Sequence, residues 1–194
     1  TTTNEIEQSI VDFCNKLSIS YYRGSENDVL SRYYEAAKEY RADVVVRLTS
    51  DCPIIDPAVI DTVIGCYKNN NSDFDYVSNT LKRTYPRGYD TEVFSFKTLE
   101  TAYINAREIP DREHVTPYIY QHPNLFRIDQ VLNELDNSNY RFTVDTKEDF
   151  LLIEKILTSL YKKDKTFSHN DVMELLDKNR DWQKINANVS QKKV

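Results

Sequence analysis

A chain of 194 residues with 40% hydrophobic and 29% charged residues is long enough for one well-packed domain and has an ordinary globular composition. Its three glycines and six prolines exclude a loop-dominated or fibrous chain. The excess of 31 Asp+Glu over 25 Lys+Arg gives a net charge of −6, which disfavours nonspecific binding to nucleic acid or to an acidic membrane. A polyphosphate ligand would need a metal ion and a few local arginines to overcome that field.

The first helical pattern runs from about Asn4 to Leu17, with Ile6, Ile10, Phe13 and Leu17 on one face. A short strand is expected at "SISYY". Then "GSENDVLSRYYEAAKEY" supplies a turn with cap candidates Ser25 and Asn27. The helix after it carries Val29 or Leu30, Tyr33, Ala37 and Tyr40 on one side. "ADVVVRLT" lacks polar alternation, so it reads as a strand covered on both faces.

After that strand comes "RLTSDCPIIDP". Pro57 suits the first turn of a helix whose stripe is Val59 or Ile60, Val63, Ile64 and Tyr67, ended by "NNNSD". "FDYVSN" and "TEVFSF" read as strands, separated by the polar loop "TLKRTYPRGYD". Two helical segments follow, about Lys97 to Ala106 and Asp111 to Gln121, and then strands at "FRIDQVL" and "YRFTVD". The C-terminal third is helical, with Phe150, Ile153, Ile156 or Leu157 and Leu160 as one stripe and a further helix at "SHNDVMELLDKN". One domain over residues 1–183 is expected, with residues 184–194 as a frayed tail.

Alternation of helix and strand through the first half indicates an α/β sheet, whose ligands sit outside the carboxyl ends of the strands. Asp51 is therefore a carboxylate to consider for Mg²⁺, a hard cation that prefers oxygen ligands. It reads equally as a turn residue that bonds its own backbone. Asp56, just before Pro57, is better read as a helix N-cap. In "TVDTKEDF", Thr146 and Asp149 form a capping-box pattern, which leaves Asp145 free for another role.

Other chemistry is weakly indicated. Cys14, Cys52 and Cys66 are odd in number and lack metal-ligand spacing, so neither a disulfide framework nor a zinc site is expected, and a reducing cytoplasm fits best. Cys52 has no evident base and reads as a small buried residue. His114 is a lone histidine in a helical segment, without a Ser/His/Asp or Cys/His pairing. The 14 tyrosines lie mostly at helical spacing and read as core. Neither a P-loop nor a dinucleotide fingerprint is present. No apolar run approaches the roughly 20 residues of a membrane span.

The ordered blocks "YYRGSENDVLSRYYEAAKEYRADVVVRLTSDCPIIDP", "DYVSNT", "TYPRGYDTEVFS", "REHVTPYIY" and "RFTVDTKEDF" resemble the cytidylyltransferase-like family that includes the SpsF-type spore coat polysaccharide biosynthesis proteins. More distantly the chain resembles the enzymes that make CMP-KDO and CMP-sialic acid. The resemblance implies an α/β fold, a Rossmann-like nucleotidyltransferase sandwich of GT-A type with a mixed, mostly parallel sheet. It also implies a Mg²⁺-dependent coupling of CTP, or another nucleotide, to an acidic sugar with release of pyrophosphate, and a homodimer.

By motif, Asp51 and Asp145 match the family's catalytic metal ligands, and Ser25, Asp28 and Arg32 lie in its nucleotide-contacting segment. Arg87, Gly88, Asp90, Glu92, Arg112 and His114 match parts of its sugar pocket. The family pattern opens with a strand and a basic glycine-containing phosphate loop, R-x-x-S-x-R-L-P-G-K, which is not found from Thr1 onward. The resemblance thus implies an N-terminally incomplete domain with little or no catalysis on its own. The rival expectations are a GT-A glycosyltransferase that uses a nucleotide-sugar and a non-catalytic binding module for polysaccharide biosynthesis.

Overall fold

The computed structural model describes residues 1–69, 73–162 and 166–190. Eight α-helices are found among them: α1 (Gln8–Lys16), α2 (Val29–Glu39), α3 (Pro57–Asn69), α4 (Phe96–Asn105), α5 (Ile109–His114), α6 (Pro117–Tyr120), α7 (Lys147–Leu160) and α8 (His169–Lys178). Four strands, β1 (Val44–Arg47), β2 (Tyr76–Ser78), β3 (Glu92–Ser95) and β4 (Ile128–Gln130), form a mixed sheet in the order β1-β3-β2-β4. None of the described helices is long and apolar enough to cross a membrane. The expected end of α3 at "NNNSD" falls partly on residues 70–72, outside the described residues.

Two compact units divide the chain: Thr1–Val45 with Phe94–Ile128, and Val46–Val93 with Asp129–Val194. Two of the three crossings, at 45/46 and 93/94, fall inside β1 and β3, and the third falls inside β4. A boundary that runs through strands has no linker, which is why composition shows no break along the sequence.

In the first unit α2 packs against α4 and α5. Its buried face is Leu30, Tyr34 and Ala37, so the register is turned slightly from the expected one, and Tyr40 is exposed. The Tyr34 ring stacks on Tyr103 of α4 with centroids 4.1 Å apart. The N-terminal segment departs further from expectation. Residues Glu5–Glu7 form a 3-10 turn before α1, and only Val11 of that helix is buried. The predicted stripe of Ile6, Ile10, Phe13 and Leu17 is exposed, because no element among the described residues covers it. "SISYY" forms no named strand; a parallel bridge joins Thr2 to Gly24 instead.

The second unit holds the larger core. Ile54, Tyr89, Phe142, Ile156, Val172 and Leu176 are among its buried members, so α7 and α8 pack on the loops around residues 85–89 and 140–142. A second cluster, Val63 and Tyr67 of α3 with Val77 and Val93, closes one face of the central strands. Burying an apolar side chain of this size contributes roughly 1.5–3 kcal/mol, so these clusters dominate the stability of the unit.

The strand expected to be covered on both faces is not. β1 lies at an edge of the sheet, with Val44 and Val46 exposed, whereas β2 and the first three residues of β3 are buried throughout. The central strands are the more polar in sequence because their polar groups are paired: the Tyr76 hydroxyl donates to Glu92, which also holds Arg47. A buried charge becomes tolerable only when so satisfied.

Candidate active site

Asp51 lies four residues beyond the end of β1, in the turn before α3. The next carboxylate, Asp56, starts that helix as expected: its Oδ1 accepts from the Ala58 N–H at 2.8 Å. Its other oxygen accepts from the His169 N–H at 2.7 Å, so one buried carboxylate fastens the starts of both α3 and α8. Burial pushes the His169 imidazole down, against the opposing pull of Asp56.

"YRFTVD" is extended but is not a strand of the sheet. Its attachment is a parallel bridge between Arg141 and Arg87, with Arg87 N–H donating to the Tyr140 carbonyl at 3.1 Å and Phe142 N–H to the Arg87 carbonyl at 2.7 Å. Two residues further on, the Val144 N–H donates to the Asp51 carbonyl at 2.9 Å. That bond sets Asp51 beside the backbone that carries Asp145. The two carboxylates, almost a hundred residues apart in sequence, therefore emerge at one end of one extended segment.

Gly88 makes this approach feasible. Its φ is +103°, and a Cβ built there would sit 2.8 Å from the Phe142 carbonyl carbon and 2.9 Å from its oxygen. Only glycine adopts that conformation without strain while admitting another backbone so closely.

Sequence reasoning missed the group that braces Asp145. The Arg141 guanidinium, 10% exposed, bonds Asp145 and also Asp149, at 3.0 Å from its Nε. Asp149 is fully buried and accepts further bonds from the Asn186 amide at 2.9 Å and from the backbone N–H groups of Asp145 and Thr146 at 3.2 and 3.1 Å. Burial pushes its carboxyl up, but the bonds from Arg141 and Asn186 outweigh that and hold it below the usual carboxylate range. The expected capping box of Thr146 and Asp149 is present. Asp149 has this second task because Arg141 lies eight residues before it, a spacing that no capping pattern reveals.

Asn186 also corrects the tail. It is buried, and its amide donates to the Arg141 carbonyl at 3.0 Å, so residues 184–190 pack on the body of the unit rather than fray. Residues 191–194 lie outside the described residues.

Asp90 and Glu92, expected in the sugar pocket, are held by cations. Arg83 grips both oxygens of Asp90, at 2.5 and 2.8 Å, and Glu92 is bonded to Arg47 and Tyr76. Arg87 makes no side-chain hydrogen bond or ion pair among the described residues. Burial, then the neighbouring Arg83 and Arg141 charges, push its guanidinium down. Burial also drives the Cys52 thiol up to about 12, against a hydrogen bond from Thr49, so it is no thiolate at neutral pH.

In the first unit, Ser25, Asp28, Arg32 and Arg112 form one cluster. Asp28 caps α2 through the Ser31 N–H at 2.9 Å, its own N–H donates to Ser25 Oγ at 3.0 Å, and Arg32 donates to the Ser25 carbonyl at 2.9 Å. Arg112 bonds the second Asp28 oxygen and lies 5.0 Å over the Tyr103 ring. His114 ends α5, partly buried and without a side-chain partner among the described residues.

No group of three or more His, Cys, Asp or Glu side chains that could hold a metal ion is found among the described residues. Asp51 and Asp145 offer only hard oxygen donors, and Asp145 keeps 54% of its side chain exposed. That set fits Mg²⁺, which commonly takes one or two protein carboxylates and completes its shell with water and substrate phosphate.

Comparison with known proteins places these residues in context. A family model described as cytidylyltransferase matches residues 1–191. An uncharacterized protein of Methanocaldococcus jannaschii is 40% identical over 196 residues, covering 99% of this chain and 77% of that protein. The spore coat polysaccharide biosynthesis protein SpsF of Bacillus subtilis is 31% identical, over 93% of this chain and 74% of its own length. Among solved structures, a cytidylyltransferase from Leptospira borgpetersenii serovar Hardjo-bovis superposes with a TM-score of 0.90 at 34% identity, over 100% of this chain and 79% of that one.

Proposed function

The chain belongs to the cytidylyltransferase family, and from that premise we propose that it activates an acidic sugar with CTP, giving a CMP-sugar and pyrophosphate for polysaccharide biosynthesis. The observation that carries this reading is the meeting of Asp51 and Asp145 through the Val144–Asp51 hydrogen bond. The polysaccharide context is supported by the similarity to SpsF. Three free cysteines accord with a reducing compartment, which we take to be the cytoplasm.

In the reaction a sugar oxygen attacks the α-phosphorus of CTP, the bond to the bridging oxygen of the β-phosphate breaks, and pyrophosphate leaves with that electron pair. Asp51 and Asp145 would hold Mg²⁺, which when bound neutralises phosphate charge and orients the leaving group. Arg141 keeps Asp145 in place and ionised by donating to it from a site locked by Asp149. Arg87, whose charge is not spent on any carboxylate, is a donor for an anionic group of the substrate. Asp90 and Glu92 act by holding Arg83 and Arg47. In the first unit, Ser25, Asp28 and Arg32 are assigned to nucleotide contact, and Arg112 and His114 to sugar contact, on family resemblance. For Asp28 and Arg112 the role is positioning, since each holds the other.

The test is to incubate the protein with CTP, Mg²⁺ and a panel of acidic sugars and to follow pyrophosphate. Release that requires both CTP and a sugar supports the reading. Consumption of a nucleotide-sugar without pyrophosphate would make the protein a glycosyltransferase instead.

A further inference from the structure

The second unit contains a cavity of about 420 Å³ that none of the roles above uses in full. Its walls are the extended segment around Tyr140, the end of α8 and the packed C-terminal stretch. Four cationic side chains line it, Arg87, Arg141, Arg180 and Lys184, and no Asp or Glu does. In a chain of net charge −6, four cations on one concave wall without a facing carboxylate call for an explanation.

Arg141 is accounted for, since Asp145 and Asp149 take its charge. The other three make no side-chain hydrogen bond or ion pair among the described residues. Arg87 is already crowded by the neighbouring Arg83 and Arg141 charges. Like charges gathered in a concave, partly desolvated site repel one another, and an incoming anion relieves that repulsion. Beneath the cations the floor is apolar, formed by Phe142, Leu152 and Leu176, while Gln183 and Asn186 add amide groups at the side. A space of this volume is in the range of small-molecule pockets, where a few polar groups fix orientation and apolar walls supply contact.

We propose that this cavity binds a phosphate monoester on a sugar-sized carbon skeleton. Two guanidinium forks and one ammonium suit a phosphoryl group, which carries about −1.5 to −2 charge at neutral pH, better than a carboxylate of charge −1. The apolar floor and the amides take the carbon skeleton and its hydroxyls. Binding stands on this cavity alone and requires neither CTP nor a divalent cation, so it holds independently of the transferase reading.

The experiment is isothermal titration calorimetry of the 194-residue chain at low ionic strength, without nucleotide or metal. Glucose 6-phosphate, inorganic phosphate, glucuronate and glucose are the four probes. Glucose 6-phosphate is expected to bind at least tenfold more tightly than glucuronate or inorganic phosphate, and glucose not to bind. Arg180 and Lys184 are exposed, so the double variant R180A/K184A should fold normally, as its circular dichroism melt would verify, and should weaken glucose 6-phosphate at least tenfold. R180E should weaken it further. Equal affinity for glucuronate, equal affinity for inorganic phosphate, or undiminished binding by the double variant would each overturn the proposal.

Discussion

The Val144 N–H donates to the Asp51 carbonyl at 2.9 Å, and this one backbone bond joins the turn after β1 to the segment that enters α7. It positions two carboxylates by main-chain geometry. Side-chain substitutions elsewhere in the unit therefore disturb the pair only if they move that backbone.

Gly88 is where such a movement is easiest to cause. In Gly88→Ala the new Cβ meets the Phe142 carbonyl at 2.8–2.9 Å in a left-handed conformation, and strain of this kind costs of order 1–3 kcal/mol. The expected outcome is a urea midpoint lowered by that amount together with a loss of turnover, since residues 142–145 must shift.

Asp149 links stability to pH. Its folded carboxyl binds a proton more weakly than an unfolded aspartate does. Its contribution is thus fully present above the ordinary value of about 3.9 and is lost as pH falls through the lower folded value. Asp149→Ala leaves Arg141 buried beside the lone Asp145 and should cost about 3–5 kcal/mol. Asp149→Asn should flatten the acid limb of the denaturation midpoint measured against pH. An unchanged acid limb would show that other carboxylates set it.

His169 acts in a higher window. A buried ring with a lowered pKa is neutral in the fold, so the stability tied to it is present above the unfolded value of about 6.5 and declines as pH falls below it. Its backbone partner Asp56 is a separate test. Asp56→Ala strands the buried His169 N–H and removes a helix cap, for about 2–4 kcal/mol in all. Asp56→Asn keeps one acceptor oxygen and should cost less, as paired urea titrations would reveal.

Cys52 is expected to be chemically quiet despite its place beside Asp51. With the thiol pushed up to about 12, iodoacetamide at pH 8 should label the partly exposed Cys14 well before Cys52, as peptide mass mapping would resolve. Cys52→Ala should retain turnover, which a covalent thiol mechanism would not allow.

Much of this layout was legible in the sequence. The capping box at Thr146 and Asp149 and the helix start at Asp56 follow from local hydrogen-bonding chemistry, and both are present. Asp51 and Asp145 were legible as candidates, but their meeting depends on a long-range bond that no local pattern encodes. The hydrophobic run Val44-Val45-Val46 misled, because β-branched residues mark a strand without saying whether it lies at the edge or the centre of a sheet. The buried central strands instead carry Tyr76 and Glu92, polar groups whose burial becomes tolerable only through partners distant in sequence. Arg141 and Asn186 escaped notice for the same reason: each matters through Asp149, which looks like a cap residue and nothing more.

The most direct measurement is pyrophosphate release from CTP and an acidic sugar by the full-length protein and by its Asp51→Asn and Asp145→Asn variants, each verified by circular dichroism to be folded. The account predicts that either substitution lowers turnover at least a hundredfold with the melting temperature nearly unchanged. Retained pyrophosphate release in both folded variants would contradict it.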